Sequence, residues 1–229
     1  MIKTLIVVPA YNEAMNIEKS INDILENAKG VDYLIIDDGS NDHTAEIIVK
    51  NNFNCIHCFL NLGLFGAVQT GFKYALKHDY QAVIQFDGDG QHSAKYLKAM
   101  IQEIEKGNNI VIGSRFVSKK KPLSARMLGS RLISLAIFLV TRKTIKDPTS
   151  GLRGYDRKAM AEYAHDMNNP PEPDTLVYML RNKHQIKEIQ VDMKEREFGE
   201  SYLNFTNTIK YMSRMLISIF FIQIFRKVK

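Results

Sequence analysis

Hydrophobic and polar positions come in blocks along this chain, and the period of the blocks changes as it proceeds. Thr4 to Val8 is a short apolar, β-branched run stopped by Pro9, which reads as a strand. Ile17, Ile21, Ile24 and Leu25 then recur at helical spacing. Tyr33 to Ile36 is a second strand, and Asn41 or Asp42 stands where a cap would open a helix over Thr44 to Lys50. A third strand is expected over Asn54 to Leu60, followed by a helix with Val68, Phe72 and Ala75 on one stripe. Ala82 to Phe86 reads as a buried strand, Ile110 to Ile112 as another, and Ile186 to Met193 alternates as a strand does. Strands alternating with helices predict an α/β fold, a mostly parallel sheet with helices on both faces.

The polar punctuation gathers at one end of those strands. Pro9 to Glu13, Asp37 to Ser40, Asn61 to Ala67 and Asp87 to His92 each follow a strand, where ligands collect in such sheets. In the last loop Asp87 and Asp89 are spaced i, i+2, which on extended chain puts both carboxylates on one side. Gly88 and Gly90 remove side-chain bulk around them. Converging carboxylates repel unless a proton or cation sits between them, and oxygen ligands favour a hard ion, Mg²⁺ or Mn²⁺. A lone Asp-Gly repeat after a strand is also an ordinary turn. Four polar loops at one rim favour a nucleotide-sized site instead.

Composition adds a local charge. The 229 residues carry a net +6, enough chain for one sizeable domain with or without an appendage. Between Ser114 and Lys158 twelve Lys or Arg stand against Asp147 and Asp156, a net +10 that leaves −4 elsewhere. That imbalance points to phosphate, an acidic lipid surface or nucleic acid. Lys119, Lys120 and Lys121 before Pro122 read as a basic loop, or simply as solvated surface. Leu132 to Val140 is apolar, flanked by Arg126 and Arg131 on one side and Arg142 and Lys143 on the other. It is too short to span a bilayer and fits either an interfacial element or a core helix. Met212 to Phe225 is also mainly apolar and is expected to be a helix on a membrane or on a membrane-embedded partner. Cys55 and Cys58 have no second pair to complete a zinc site and read as small apolar residues. The amino-terminal apolar run is too short for a signal peptide.

Pro9-Ala10-Tyr11-Asn12-Glu13, Asp37-Asp38-Gly39-Ser40, Asn61…Gly63…Gly66-Ala67, Asp87-Gly88-Asp89-Gly90-Gln91-His92, Gly113-Ser114-Arg115 and Asp147-Pro148-Thr149-Ser150-Gly151 occur in one order. In that order the chain resembles family-2 glycosyltransferases, and among them the dolichyl- and polyprenyl-phosphate sugar synthases. The resemblance implies a GT-A fold over residues 1–205, with residues 206–229 as an amphipathic membrane-interface helix. It also implies an inverting, metal-dependent transfer of one hexose or N-acetylhexosamine from a nucleotide sugar, UDP-linked or GDP-linked, to a polyprenyl phosphate. By the same resemblance Pro9, Ala10, Tyr11, Glu13, Asp37, Asp38, Gly66, Asp87, Gly88, Asp89 and Arg196 hold the nucleotide sugar. Asp89 and Gln91 bind the Mg²⁺ or Mn²⁺. Arg115, Arg126, Ser130, Arg131 and Ser150 receive the acceptor phosphate. Arg196 opens a segment resembling the family's lid over the diphosphate, with Tyr202 where Lys is usual; Phe65 stands where Gly is common. The implied setting is peripheral, on the cytoplasmic face of a membrane, with no nucleic acid. The helix expected over Met212 to Phe225 has no obvious partner inside the catalytic domain, so a small membrane subunit is expected to cover it, with a homo-oligomer as the other expected partner.

Asp89, Arg115, Arg131 and Glu172 are the candidate catalytic residues. Glu172 or Asp174 would touch the donor sugar or act as base, though Asp174 also stands where a helix cap would. A sugar hydroxyl needs a general base, whereas a phosphate monoester is already largely anionic near neutral pH. A polyprenyl-phosphate synthase can therefore work by positioning and charge balance. Extension of a saccharide chain is the alternative, but the QxxRW of processive members is absent. A sugar nucleotidyltransferase would carry a Gly-rich basic loop where this chain has Pro9 to Glu13.

Overall fold

The computed structural model describes residues 1–166, 171–193 and 205–226, without the side chains of 125, 126, 166 and 205–209. Its centre is a seven-stranded sheet in the order β3-β2-β1-β4-β6-β5-β7. The strands are β1 (Thr4–Ala10), β2 (Asp32–Asp37), β3 (Cys55–His57), β4 (Ala82–Gln85), β5 (Ile110–Ser114), β6 (Arg153–Asp156) and β7 (Ile186–Gln190). Neighbours pair parallel except β6, which runs antiparallel to β4 and β5. The helices are α1 (Ile17–Asn27), α2 (Thr44–Lys50), α3 (Gly63–Lys77), α4 (Leu97–Glu105), α5 (Ala125–Thr141), α6 (Arg157–Ala161), α7 (Pro173–Arg181) and α8 (Phe205–Ile217).

Alternation along β1 explains why both faces are covered. Leu5 and Val7 join an apolar cluster with Phe72 of α3, Ile133 and Ile137 of α5 and Leu176 of α7. Ile6 and Val8 join the opposite cluster with Ile17 and Ile21 of α1 and Leu97 and Ile101 of α4. A Cβ on Gly71 would fall 2.3 Å from Val7 Cγ1, so only glycine lets α3 lie this close to β1.

The expected elements form, with three departures. The strand expected over Asn54 to Leu60 shrinks to β3: its ladder with β2 ends with Cys58 N donating to Asp37 O at 2.8 Å, and Phe59 and Leu60 beyond it are exposed. β6 gives no apolar run to read: its Arg153 is buried by satisfying its guanidinium on carbonyls, and its Tyr155 joins the core. Helix α2 has His43 at its N-cap, with no side-chain cap bond, in place of the Asn41 or Asp42 expected; Asp42, one residue earlier, accepts from Thr44 N through Oδ1 at 2.9 Å.

The expectation that the carboxyl-terminal helix lacks a partner within the domain is corrected. Helix α8 and the π-helical turn Ser218–Gln223 pack on α5 and α7, and Met215 and Ile219 are fully buried in the first cluster. The crossing is close at Gly129, where a Cβ would meet Met212 Cε at 2.6 Å. What remains exposed is the outer side: Leu128, Leu132, Leu135 and Leu139 on α5, Ile217 at the end of α8, and Phe221, Ile222 and Phe225 beyond it. Among the described residues, no helix is long and apolar enough to cross a membrane.

Candidate active site

The first loop after β1 clasps the loop after β2. Asn12, in the left-handed region with φ 55°, donates its backbone N–H to Ser40 Oγ at 3.0 Å, and its side-chain oxygen accepts from Asn41 N at 2.8 Å. Glu13 N donates to Thr44 Oγ1 at 2.9 Å, and Glu13 Oε2 accepts from Asn16 at 2.8 Å. Pro9 and Ala10 are the last residues of β1, and Tyr11 projects into solvent beside Asn41.

Both aspartates at the carboxyl end of β2 are buried and bonded. Asp37 accepts from Ser40 N at 3.1 Å and pairs with His57 Nδ1 at 2.9 Å. Asp38 Oδ1 accepts from Leu62 N at 2.8 Å. Burial lifts the Asp38 carboxyl above its ordinary value, against the backbone N–H groups of Leu62 and Gly63. Gly39 has φ +71°, and a Cβ there would meet the Leu60–Asn61 backbone at 3.1 Å. Gly66 sits in the first turn of α3, where a Cβ would strike Leu62 at 2.3 Å. These glycines let three loops close on one another.

The loop after β4 holds the paired aspartates differently. Asp87 Oδ1 accepts from Gln85 Nε2 and Oδ2 pairs with His92 Nε2, each at 3.2 Å. Burial opposes ionisation of Asp87, but His92 and Gln85 outweigh it and its carboxyl lies below the ordinary value. Asp89 Oδ1 accepts from Gln91 N at 3.0 Å, a tight turn within the loop. Gly88 lies 3.3 Å, by its missing Cβ, from Pro9 O, so this loop is stacked on the first. No group of three or more His, Cys, Asp or Glu that could hold a metal occurs among the described residues. A carboxylate and an amide oxygen are nevertheless hard donors, fitting a Mg²⁺ or Mn²⁺ whose remaining ligands come from phosphate and water.

The loop from Asp147 to Gly151 joins this pair to the basic segment. A Cβ on Gly151 would fall 2.3 Å from Asp87 Oδ2, so its backbone lies against that carboxylate. At the other end of the loop, fully buried Asp147 takes a two-pronged pair from Arg115, Nε to Oδ2 at 2.7 Å and Nη2 to Oδ1 at 2.8 Å. Arg153 fixes the loop from beneath, donating to Ser150 O at 2.9 Å, Pro148 O at 2.5 Å and Pro171 O at 2.5 Å. Arg131 Nη2 donates to Lys121 O at 2.6 Å, and Lys121 Nζ donates to Ser130 Oγ at 2.9 Å.

Several expected site residues are thus brought together, and others are placed elsewhere. Ser150 is buried with its hydroxyl donated to Gly113 O at 2.6 Å, which makes it a strut between loop and sheet and turns it away from any acceptor. Asp174 neither caps α7 nor faces the donor loops: Oδ2 accepts from Ser218 Oγ at 2.5 Å and Gln223 Nε2 at 3.2 Å. Glu172 receives both its bonds from Arg214, at 2.8 and 3.0 Å. Arg196 and Tyr202 lie outside the described residues, as does the side chain of Arg126. Sequence reasoning missed His92 as the partner of Asp87, Arg153 as the loop's fastener and the inward turn of Lys121.

The chain matches the model of Glycosyl transferase family 2 over residues 5–164. It is 33% identical over 213 residues to an uncharacterized protein of Methanocaldococcus jannaschii, covering 89% of this chain and 86% of that one. It is 24% identical to the polyprenol monophosphomannose synthase of Mycolicibacterium smegmatis, covering 93% and 85%. It is 28% identical to the UDP-N-acetylglucosamine–dolichyl-phosphate N-acetylglucosaminyltransferase of Methanococcus voltae, covering 85% and 86%. Among solved structures it resembles glucosyl-3-phosphoglycerate synthase from Mycobacterium tuberculosis in complex with Mn²⁺, UDP and phosphoglyceric acid. That likeness has a TM-score of 0.71 at 15% identity and covers 99% of this chain and 80% of that one, which establishes the α/β fold. With its loops, sheet order and paired aspartates in this arrangement, the chain belongs to glycosyl transferase family 2 and is a glycosyltransferase.

Proposed function

We propose that this enzyme transfers a single hexose or N-acetylhexosamine from a nucleoside-diphosphate sugar to a polyprenyl monophosphate, with inversion, at the cytoplasmic face of a membrane. The observation that carries this reading is the Asp147–Gly151 loop, which touches Asp87 at one end and Arg115 at the other. A donor seated on the Asp87–Gln91 loop would then lie next to a cationic surface made for a second phosphate. The names of the Mycolicibacterium and Methanococcus relatives, which specify polyprenol and dolichyl phosphate, support the same acceptor class.

In this account the loops Pro9–Glu13 and Asp37–Ser40, with Gly66 and Gly88 allowing close approach, hold the nucleoside, and UDP is the favoured base carrier. Asp89 and Gln91 would hold the divalent ion. Bound there, it neutralises the charge that builds on the departing diphosphate. Arg131 presents the acceptor phosphate to the anomeric carbon, its permanent charge and planar fork suiting that task, with Arg115, its own fork held by Asp147, lining the same place. The acceptor oxygen attacks opposite the diphosphate, forming one glycosyl–phosphate bond as the sugar–diphosphate bond breaks. No base is required, because the attacking oxygen already carries negative charge. The exposed leucine stripe of α5 and the apolar residues after α8 rest on the lipid surface, with Arg142 and Lys143 towards its headgroups. This contact, and not a buried partner helix, is where a small membrane subunit would also sit.

The test is a panel of nucleotide sugars offered with undecaprenyl phosphate and Mg²⁺ or Mn²⁺, following labelled sugar into an organic extract. One donor's label is expected in the organic phase. Label retained in the aqueous phase with every donor overturns the reading.

A further inference from the structure

Lys121 belongs to a run of three lysines that reads as solvated surface, and Lys119 behaves that way, pairing with exposed Asp192 at 2.5 Å. Lys121 does not. It is half-buried, and its Nζ turns inward to donate to Ser130 Oγ at 2.9 Å and Ser134 Oγ at 3.2 Å, one helical turn apart on α5. Its ammonium lies 5.6 Å from the centroid of the Phe116 ring, and Arg115 approaches the same ring at 5.1 Å. Arg131 holds the loop in this position through the Lys121 carbonyl.

The charges here do not cancel. Arg115 is neutralised by Asp147, but among the described residues no carboxylate lies within ion-pair distance of Lys121 or Arg131. An ammonium withdrawn from water onto neutral hydroxyls is costly, and burial accordingly draws the Lys121 pKa down, against the opposing charge of Asp147. Two hydroxyls engage two of its three N–H groups, and the third remains for a ligand. A monoester phosphate near neutral pH carries close to two negative charges, which is what Lys121 and Arg131 together lack.

We propose that Lys121 is a direct ligand of the acceptor's phosphate, matching its dianion together with Arg131, and that Ser130 and Ser134 aim its ammonium. This rests on the acceptor class assigned under Proposed function and adds a residue to it. The position also favours a phosphate monoester over an alcohol acceptor, since a neutral hydroxyl would leave both cations unmatched.

Farnesyl phosphate titrated into the full chain without donor tests it, with farnesol and UDP plus Mn²⁺ as parallel ligands. Lys121→Gln is expected to weaken farnesyl phosphate binding about tenfold or more, as loss of a charge-assisted hydrogen bond does, and to leave farnesol and UDP binding unchanged. Lys121→Arg should restore most of the affinity. Lys121→Met keeps the apolar stem and serves if the Gln variant folds poorly. Equal farnesyl phosphate binding by wild type and variant, or parallel losses for farnesyl phosphate and farnesol, would overturn the assignment while the acceptor class stands. Failure of the wild-type chain to bind farnesyl phosphate overturns both.

Discussion

Arg115 and Asp147, thirty-two residues apart, meet in a two-pronged ion pair of 2.7 and 2.8 Å, with Asp147 wholly withdrawn from solvent. Burial alone would raise the Asp147 carboxyl, but the bonds and charge of Arg115 hold it below its ordinary 3.8. A carboxyl depressed in the folded state contributes stability that is complete above its unfolded value. That contribution is lost as pH falls through the lower, folded value. Thermal melts should therefore show wild type losing stability below pH 3.8. Asp147→Asn should be less stable at neutral pH by about 3 kcal/mol, because it leaves a partly buried guanidinium without its counter-charge. It should also lack this component of the acid loss; parallel melting curves for the two proteins down to low pH would contradict the pair's role.

His92 reaches Asp87 through Nε2 alone, its Nδ1 having no partner, and its ring lies 5.8 Å from that of Phe86. His92→Phe should keep the packing and remove one hydrogen bond from the donor-side carboxylate. UDP affinity measured in the presence of Mn²⁺ should fall roughly tenfold, in line with a bond to a charged group. An unchanged affinity would show that Asp87 needs no such support.

Asp89→Asn keeps the size of the side chain and the turn made by Gln91 N while removing a charge. Turnover supported by Mg²⁺ or Mn²⁺ should drop by at least about a hundredfold, with an unaltered melting temperature, as expected when electrostatic stabilisation of a leaving group is lost. Near-normal turnover would remove Asp89 from the metal site.

The order of strands and helices was readable because each apolar run was short, β-branched and followed by a polar stop, as at Thr4–Ala10 and Ala82–Gln85. The rim of loops followed from that order. β6 was not readable, since a buried strand containing Arg153 depends on carbonyls from Pro148, Ser150 and Pro171 that no local pattern announces. The family resemblance likewise drew Asp87 and Arg115 into one site without revealing that the 147–151 loop joins them. Ser150 and Lys121 changed places for the same reason: whether a hydroxyl or an ammonium faces inward is decided by packing against Gly113 and α5.

Glu172 separates two kinds of acceptor. Its carboxylate is engaged by Arg214, and its pKa is raised by burial, with the Arg214 charge opposing. If the nucleophile is already a phosphate anion, Glu172→Gln should keep turnover within about tenfold, since general base catalysis is worth more than that. A loss of a thousandfold or more in steady-state rates would make Glu172 a base and point to a hydroxyl acceptor.

The outer face of α5 presents Leu128, Leu132, Leu135 and Leu139 at spacings of one face of a helix. Replacing Leu132 and Leu135 together by Glu should abolish co-sedimentation with anionic lipid vesicles and leave the melting temperature nearly unchanged, because neither residue packs in the core. Undiminished vesicle binding would place the lipid contact elsewhere.

The most direct measurement compares undecaprenyl phosphate with undecaprenol as acceptors, under one donor and one divalent metal. The two lipids share every apolar contact and differ only in the phosphate that the cations beside Phe116 would grasp. Sugar should pass to undecaprenyl phosphate alone. Equal transfer to the alcohol would contradict the account, because attack would then not depend on an anionic oxygen held by these cations.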